Sequence, residues 1–171
     1  MLSLCVASPY YGTNWAIVIG INDYENENVT RLNYAENDAT DVKNMFIEAF
    51  NFKDENIIFL LNQDATLDNI LDAFDEIAEK SSKNDRVVFY FAGHGITIDL
   101  PGGGEKGYLV PYSGNPERAY RTCLPMVEIK EISSMIAAKH MLFLVDACYG
   151  GLAAVNTRGL INKSIPNYLD K

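Results

Sequence analysis

The sequence predicts an α/β fold, a mostly parallel, doubly wound sheet with helices on both faces. Four short apolar runs, residues 15–21, 57–61, 87–91 and 141–145, are rich in β-branched and aromatic side chains. They are too continuous for half-exposed strands and read as buried parallel ones. Segments with apolar residues at helical spacing separate them. Strand–helix alternation of this kind is closed by right-handed crossovers.

In chain order, the run at 15–21 is the first strand. Ala39, Val42, Met45, Phe46, Ala49 and Phe50 then share one helical face. The run at 57–61 follows. Leu67, Ile70, Leu71, Phe74, Ile77 and Ala78 mark a second helix, with Thr66 suited to cap it and Asp68 to its first turn. After the run at 87–91, residues 96–120 read as a long loop containing Gly102, Gly103 and Gly104, with a small extra hairpin strand at 108–111. Ile129, Ile132, Met135 and Ile136 mark a third helix after Pro125, and the run at 141–145 closes the sheet. Residues 152–171 have no strong period and read as a surface segment.

A chain of 171 residues allows one domain with a real core. The net charge of −9 argues against nucleic acid, whose phosphates need a basic face. No apolar run approaches a membrane span, and the first residues lack the basic start and apolar core of a signal peptide. Three scattered cysteines, Cys5, Cys123 and Cys148, suggest no disulfide framework, so a reducing cytoplasm is expected.

Two words carry the chemistry. YFAGHG ends at His94 and Gly95, and LVDACYGG is centred on Cys148. Each sits where an apolar strand gives way to small residues. In doubly wound sheets the active crevice lies beyond the carboxyl ends of the strands, so both land on one edge. A thiol with an imidazole beside it is the minimum kit for a cysteine nucleophile activated by a base. His94 takes the thiol proton and returns it to the leaving amine. The backbone N–H groups of Gly95 and Cys148 are the expected oxyanion donors. Gly93, Gly150 and Gly151 keep the rim open. Taken singly, either residue reads as a packed core group. The two strand ends together make the case.

The remaining candidates are weaker. His140, at a helix end before the fourth run, reads as a cap or surface group. Cys123 reads as a packed residue and Cys5 lies in a tail. Two histidines and three cysteines make no zinc spacing, and GGGEKG lacks the spacing of a phosphate-binding loop. No metal and no cofactor is expected.

YFAGHG, then YLVP, then LFLVDACYGG resembles the caspase–metacaspase–paracaspase superfamily, and is most similar to bacterial caspase-like proteases (orthocaspases). The opening VIGINDY and LNYAENDATDV resemble it too, and about 50 residues separate His94 from Cys148. The likeness implies a caspase-like three-layer sandwich, a His94–Cys148 dyad and a thiol protease. It implies residues 1–14 as a tail, 15–151 as the catalytic large-subunit domain, and 152–171 as a linker before a small-subunit part not present here. It further implies that Asp38 and Asp146 bind a basic substrate side chain, with cleavage after arginine or lysine. Asp38 also reads as a first-turn helix acid, and Asp146 as a hydrogen-bonding group that holds the nucleophile loop.

In that family many relatives have serine at the positions of Ala92 and Gly150. The stretch after GHG holds only Asp99 and Glu105, too few oxygens for calcium, so no calcium requirement is expected. The end at Lys171 fits a processed large subunit cut by its own basic specificity, a truncated piece, or a natural minimal form. A small-subunit fragment or an activating sensor protein is the expected partner. Prokaryotic defence or regulated cell death is the expected setting. Two other readings compete: a catalytically silent regulatory module of the same fold, and a flavodoxin-like nucleotide or response-regulator domain.

Overall fold

A computed structural model describes residues 10–148, with Cys148 as backbone only. Cys5, Gly150, Gly151, the surface segment at 152–171 and the chain end at Lys171 lie outside the described residues. The elements run β1 (Asn14–Gly20), α1 (Ala35–Phe50), β2 (Ile57–Leu61), α2 (Leu67–Lys80), β3 (Arg86–Asp99), β4 (Glu105–Leu109), α3 (Ala119–Thr122), β5 (Leu124–Pro125), α4 (Met126–Ser133) and β6 (His140–Cys148). Parallel strands stand in the order β2-β1-β3-β6, and the far end of β3 turns antiparallel with β4, which pairs with β5.

Strand alternation sorts the core into two halves. Ile17, Ile19, Val87, Phe89 and Phe91 face α2 and α4. Ala16, Val18, Val88, Tyr90 and Ala92 face α1. The three layers expected from sequence are present. Thr66 caps α2 as expected, its hydroxyl oxygen accepting from Asn69 N at 3.2 Å. Helix α1 begins earlier than its apolar spacing suggests, and Met45 and Phe50 on it are exposed.

The stretch 96–120 is not a long loop. Strand β3 continues through His94 to Asp99 and folds back as β4, which takes in Tyr108 and Leu109 but not Val110 or Pro111. Ile96 and Tyr108 are buried here, enough apolar surface to hold a hairpin. Gly103 and Gly104 make its turn at φ of 88° and 89°, where only glycine is unstrained. Helix α4, the helix predicted after Pro125, stops at Ser133, before Met135 and Ile136. The Ser133 and Ser134 hydroxyls donate to the carbonyls of Lys130 and Glu131, competing with the helix for its last acceptors.

One buried carboxylate ties the strand beginnings together. Asp85 accepts from Thr13 N at 2.8 Å, Ser82 N at 2.8 Å and Trp15 Nε1 at 3.2 Å, and its carbonyl accepts from Lys139 N at 2.8 Å. Those contacts fix where β1, β3 and β6 start. Among the described residues no helix is long and apolar enough to cross a membrane.

Burial pushes the Asp85 carboxyl up, but the donors from Ser82, Thr13 and Trp15 outweigh it and hold it below the ordinary value. A depressed folded value contributes stability above the unfolded carboxyl's titration near about 3.9, and that stability is lost as pH falls through the folded value. Asp85→Ala strands three N–H donors and is expected to cost about 3 kcal/mol at neutral pH in urea unfolding. Asp85→Asn should flatten the fall of the urea midpoint between neutral and acid pH. An unchanged midpoint in both variants contradicts the assignment.

Candidate active site

Strands β3 and β6 pair in parallel over nine positions, Arg86 with His140 at one end and His94 with Cys148 at the other. Neighbouring strands stand roughly 4.8 Å apart, and residues in register occupy the same face. The two residues singled out from sequence are thus adjacent across one ladder. His94 lies within β3 rather than after it.

His94 is 2% exposed and is held twice by the loop between β1 and α1. Its backbone N–H donates to the Tyr24 hydroxyl at 2.8 Å, and the two rings lie 5.1 Å apart. Its ring Nε2 stands 2.7 Å from the Thr30 carbonyl oxygen. A carbonyl only accepts, so Nε2 carries the proton in the neutral ring and Nδ1 carries the lone pair. Nδ1 is buried and has no hydrogen-bond partner among the described residues. The ring therefore offers a base whose tautomer is set by the backbone. Burial pushes the Tyr24 phenol far up, so it stays neutral beside the imidazole.

Asp38, Asp146, Ala92, Gly93 and His94 line one pocket of about 160 Å³. Asp146 is in register with Ala92, two positions before the His94–Cys148 pair. Asp38 comes from the first turn of α1, which packs tightly on β1 because Gly20 has no side chain. A Cβ there would stand 2.5 Å from the Ala35 carbonyl oxygen and 2.6 Å from Ala39 Cβ. Among the described residues neither acid is ion-paired. The Tyr90 phenol is pushed up to about 12 by burial first, then by the charges of Asp146 and Asp38. A shallower depression of about 530 Å³, lined by Ile98 and residues 117–121, includes none of these groups.

Gly95 is in register with Leu109, while Val110 N donates to the His94 carbonyl at 2.9 Å. In that antiparallel pattern Gly95 is in a non-hydrogen-bonded pair, and its N–H points away from β4. Cys123 is buried, and burial pushes its thiol up to about 11, as suits an inert packed residue. His140 does not end a helix. It begins β6, and its Nδ1 lies 3.1 Å from the Tyr11 hydroxyl.

Tyr24 and Thr30 were not legible as site residues. Thr30 acts through its backbone carbonyl, which no side-chain pattern reports. Tyr24 sits in a polar loop where an aromatic residue has many ordinary uses.

A sequence model of the family described as "Caspase domain" matches residues 13–166. The chain is 26% identical over 171 residues to Metacaspase-1 of Eremothecium gossypii, covering 89% of this chain and 36% of that protein. It is 32% identical over 152 residues to Metacaspase III c of Phaeodactylum tricornutum, covering 82% of this chain and 43% of that protein. It is also similar to a protein of a Desulfuromonadales bacterium named as a probable protease, at 29% identity over 151 residues, covering 79% of this chain and 18% of that one. The chain spans less than half the length of these relatives. A crystal structure of a Geobacter sulfurreducens protein superposes with a TM-score of 0.67 at 21% identity, covering 80% of this chain and 51% of that one, which shows a shared fold.

Gly93 tests how closely the rim is packed. A Cβ there would stand 2.9 Å from the Phe91 ring and 3.0 Å from the Tyr24 hydroxyl, whereas Gly102 has nothing within 4 Å. Gly93→Ala is expected to lower stability by about 1–3 kcal/mol, and Gly102→Ala by less than about 0.5 kcal/mol, in urea unfolding. Equal costs contradict this packing.

Proposed function

The chain belongs to the caspase-domain family, and from that premise we propose that it is a cysteine endopeptidase that cleaves after arginine or lysine. The observation that carries this reading is the shared pocket. There the buried His94, in register with Cys148, stands beside two carboxylates that have no ion-pair partner among the described residues.

In this reading the Cys148 thiol gives its proton to Nδ1 of His94 and the sulfur attacks the substrate carbonyl carbon. The Thr30 carbonyl, holding Nε2–H, steadies the imidazolium that forms. The backbone N–H groups of Gly95 and Cys148 receive the oxyanion. His94 then protonates the leaving amine, and water hydrolyses the thioester with His94 again as base. Asp38 and Asp146 hold the guanidinium or ammonium of the residue preceding the cut through charge-assisted hydrogen bonds. Ala92 leaves the wall between them apolar.

The partner proposed is the continuation of the fold, a small-subunit part on the same or a separate chain. Leu142 and Leu144 of β6 are 50% and 37% exposed, and among the described residues β6 pairs only with β3. Both features suit a further layer. Processing after a basic residue, a cytoplasmic site of action, and a setting in regulated cell death or prokaryotic defence complete the proposal.

Fluorogenic peptides ending in arginine, lysine or aspartate test it. Basic peptides are expected to be cleaved and aspartyl ones not. Cys148→Ala and His94→Ala should each lower kcat by at least about a thousandfold. Asp146→Ala and Asp38→Ala should each cost about ten- to a hundredfold in kcat/KM for basic peptides. Preference for aspartate, or full activity in Cys148→Ala, sinks the reading.

Calcium is expected to leave these rates unchanged. Among the described residues no group of three or more histidine, cysteine or acidic side chains stands ready to hold a cation. A clear rise in rate on adding calcium, reversed by a chelator, contradicts this expectation.

A further inference from the structure

Three polar side chains at the rim lock together apart from the pocket. Asn22, just past β1, is 4% exposed, Glu36 lies in the first turn of α1, and Asn62 follows β2. Asn22 Nδ2 donates to Glu36 Oε2 at 2.7 Å, and Asn62 Nδ2 donates to Glu36 Oε1. Asn62 Oδ1 accepts from the backbone N–H groups of Asn22 at 2.8 Å and Asp23 at 3.1 Å. Asn22 Oδ1 accepts from Glu36 N at 3.3 Å, and the Asn22 carbonyl accepts from Leu32 N at 2.9 Å. Asn62 adopts φ 42°, a left-handed conformation that asparagine tolerates better than most residues.

This clamp closes the two ends of the loop that carries Tyr24 and Thr30. Both contacts that hold His94 come from that loop. Between its ends the loop has only a few further ties, Val29 N to Asn26 O, Glu25 N to Tyr112 O and the exposed Arg31–Asp23 ion pair among them; an exposed ion pair contributes little. The place of the Thr30 carbonyl therefore depends on the clamp, and the tautomer of His94 depends on Thr30.

We infer that Glu36 is a positioning residue for the base, acting through Asn22, Asn62 and the Thr30 carbonyl. The inference rests on the reading of His94 as the base. Glu36 touches no reacting atom. Its carboxylate gives each amide an acceptor oxygen of its own, whereas a neutral amide in its place turns a donor toward one of them.

That complementarity supplies the test. Glu36→Gln presents a donor to one of the two amides. Asn62→Asp sets a carboxylate against a carboxylate. The double variant restores a donor–acceptor match, because the introduced glutamine donates to the introduced aspartate, which still accepts from the N–H groups of Asn22 and Asp23.

Each single variant is expected to lower kcat for a basic fluorogenic peptide by about a hundredfold with KM within about threefold, and the double variant to recover at least about tenfold of the loss. The second readout needs no activity. The chain has two histidines, so the slowly exchanging Nε2–H signal of His94 can be followed in a 15N-labelled His140→Gln background. It should be present there, lost in each single variant and restored in the double. Folded single variants that keep both signal and kcat overturn the inference, as does a folded double variant that regains neither. If the single variants fail to fold, the double variant decides. A protein that shows the full signal pattern but cleaves no peptide overturns the protease reading and leaves the positioning intact.

Discussion

Everything at the active rim depends on the register between β3 and β6. Side chains alternate along a strand, so a slip of one residue would carry Cys148 to the opposite face from His94. The ladder is pinned along its length. Lys139 N donates to the Asp85 carbonyl just before the first pair, which fixes where the ladder starts. Midway, Phe89 meets Phe143 in register with ring centroids 5.9 Å apart, and Phe74 of α2 stacks on Phe89 at 5.2 Å. Aromatic packing of this kind rewards one register only. The core thus transmits a position set at Asp85 to the far end of the sheet.

At that far end regular structure gives out, and side chains replace the ladder as the source of order. Buried backbone groups must find partners wherever they are. The segment between β1 and α1 meets this demand through Asn22, Glu36 and Asn62, and spends two of its own groups, the Tyr24 hydroxyl and the Thr30 carbonyl, on His94. The division is mechanical as well as chemical. A strand sets where the imidazole is, and an irregular loop sets which nitrogen holds the proton.

Much of this was legible in sequence for one reason: the informative residues are local. Residues 87–95 show a buried strand and its histidine in one glance, and residues 141–148 do the same for the cysteine. Asp38 and Asp146 were singled out through the family resemblance alone; the local sequence offered only a first-turn helix acid and a hydrogen bond that holds a loop. The reading failed where the cause was distant or lay in the backbone. The extension of β3 to Asp99 has only Ile96 and Ile98 as apolar markers, and its stability comes from β4, which no local period reveals. Glu36 and its amide partners lie 14 and 26 positions apart in the chain. The Thr30 carbonyl has no side-chain signature at all. Helix α4 was read too long because Met135 and Ile136 continue its apolar spacing, while serines 133 and 134 draw off its last acceptors.

Under the proposed cleavage after basic residues, the pocket's selectivity follows from what is left out of it. Gly20 lets α1 approach β1, and Ala92, in register with Asp146, adds no bulk or polar group between the acids. Two carboxylates are thereby held in one small pocket without a counter-charge among the described residues. Asp146 is exposed and Asp38 half-buried, so water reaches both. In that reading an anionic side chain entering the pocket meets two like charges, and a neutral one leaves both acids without a partner. A cation supplies the missing partner, and a planar guanidinium has donors enough for both acids at once. Discrimination then comes as much from the cost of the wrong occupant as from the fit of the right one. That cost is built from residues whose contribution is to be small.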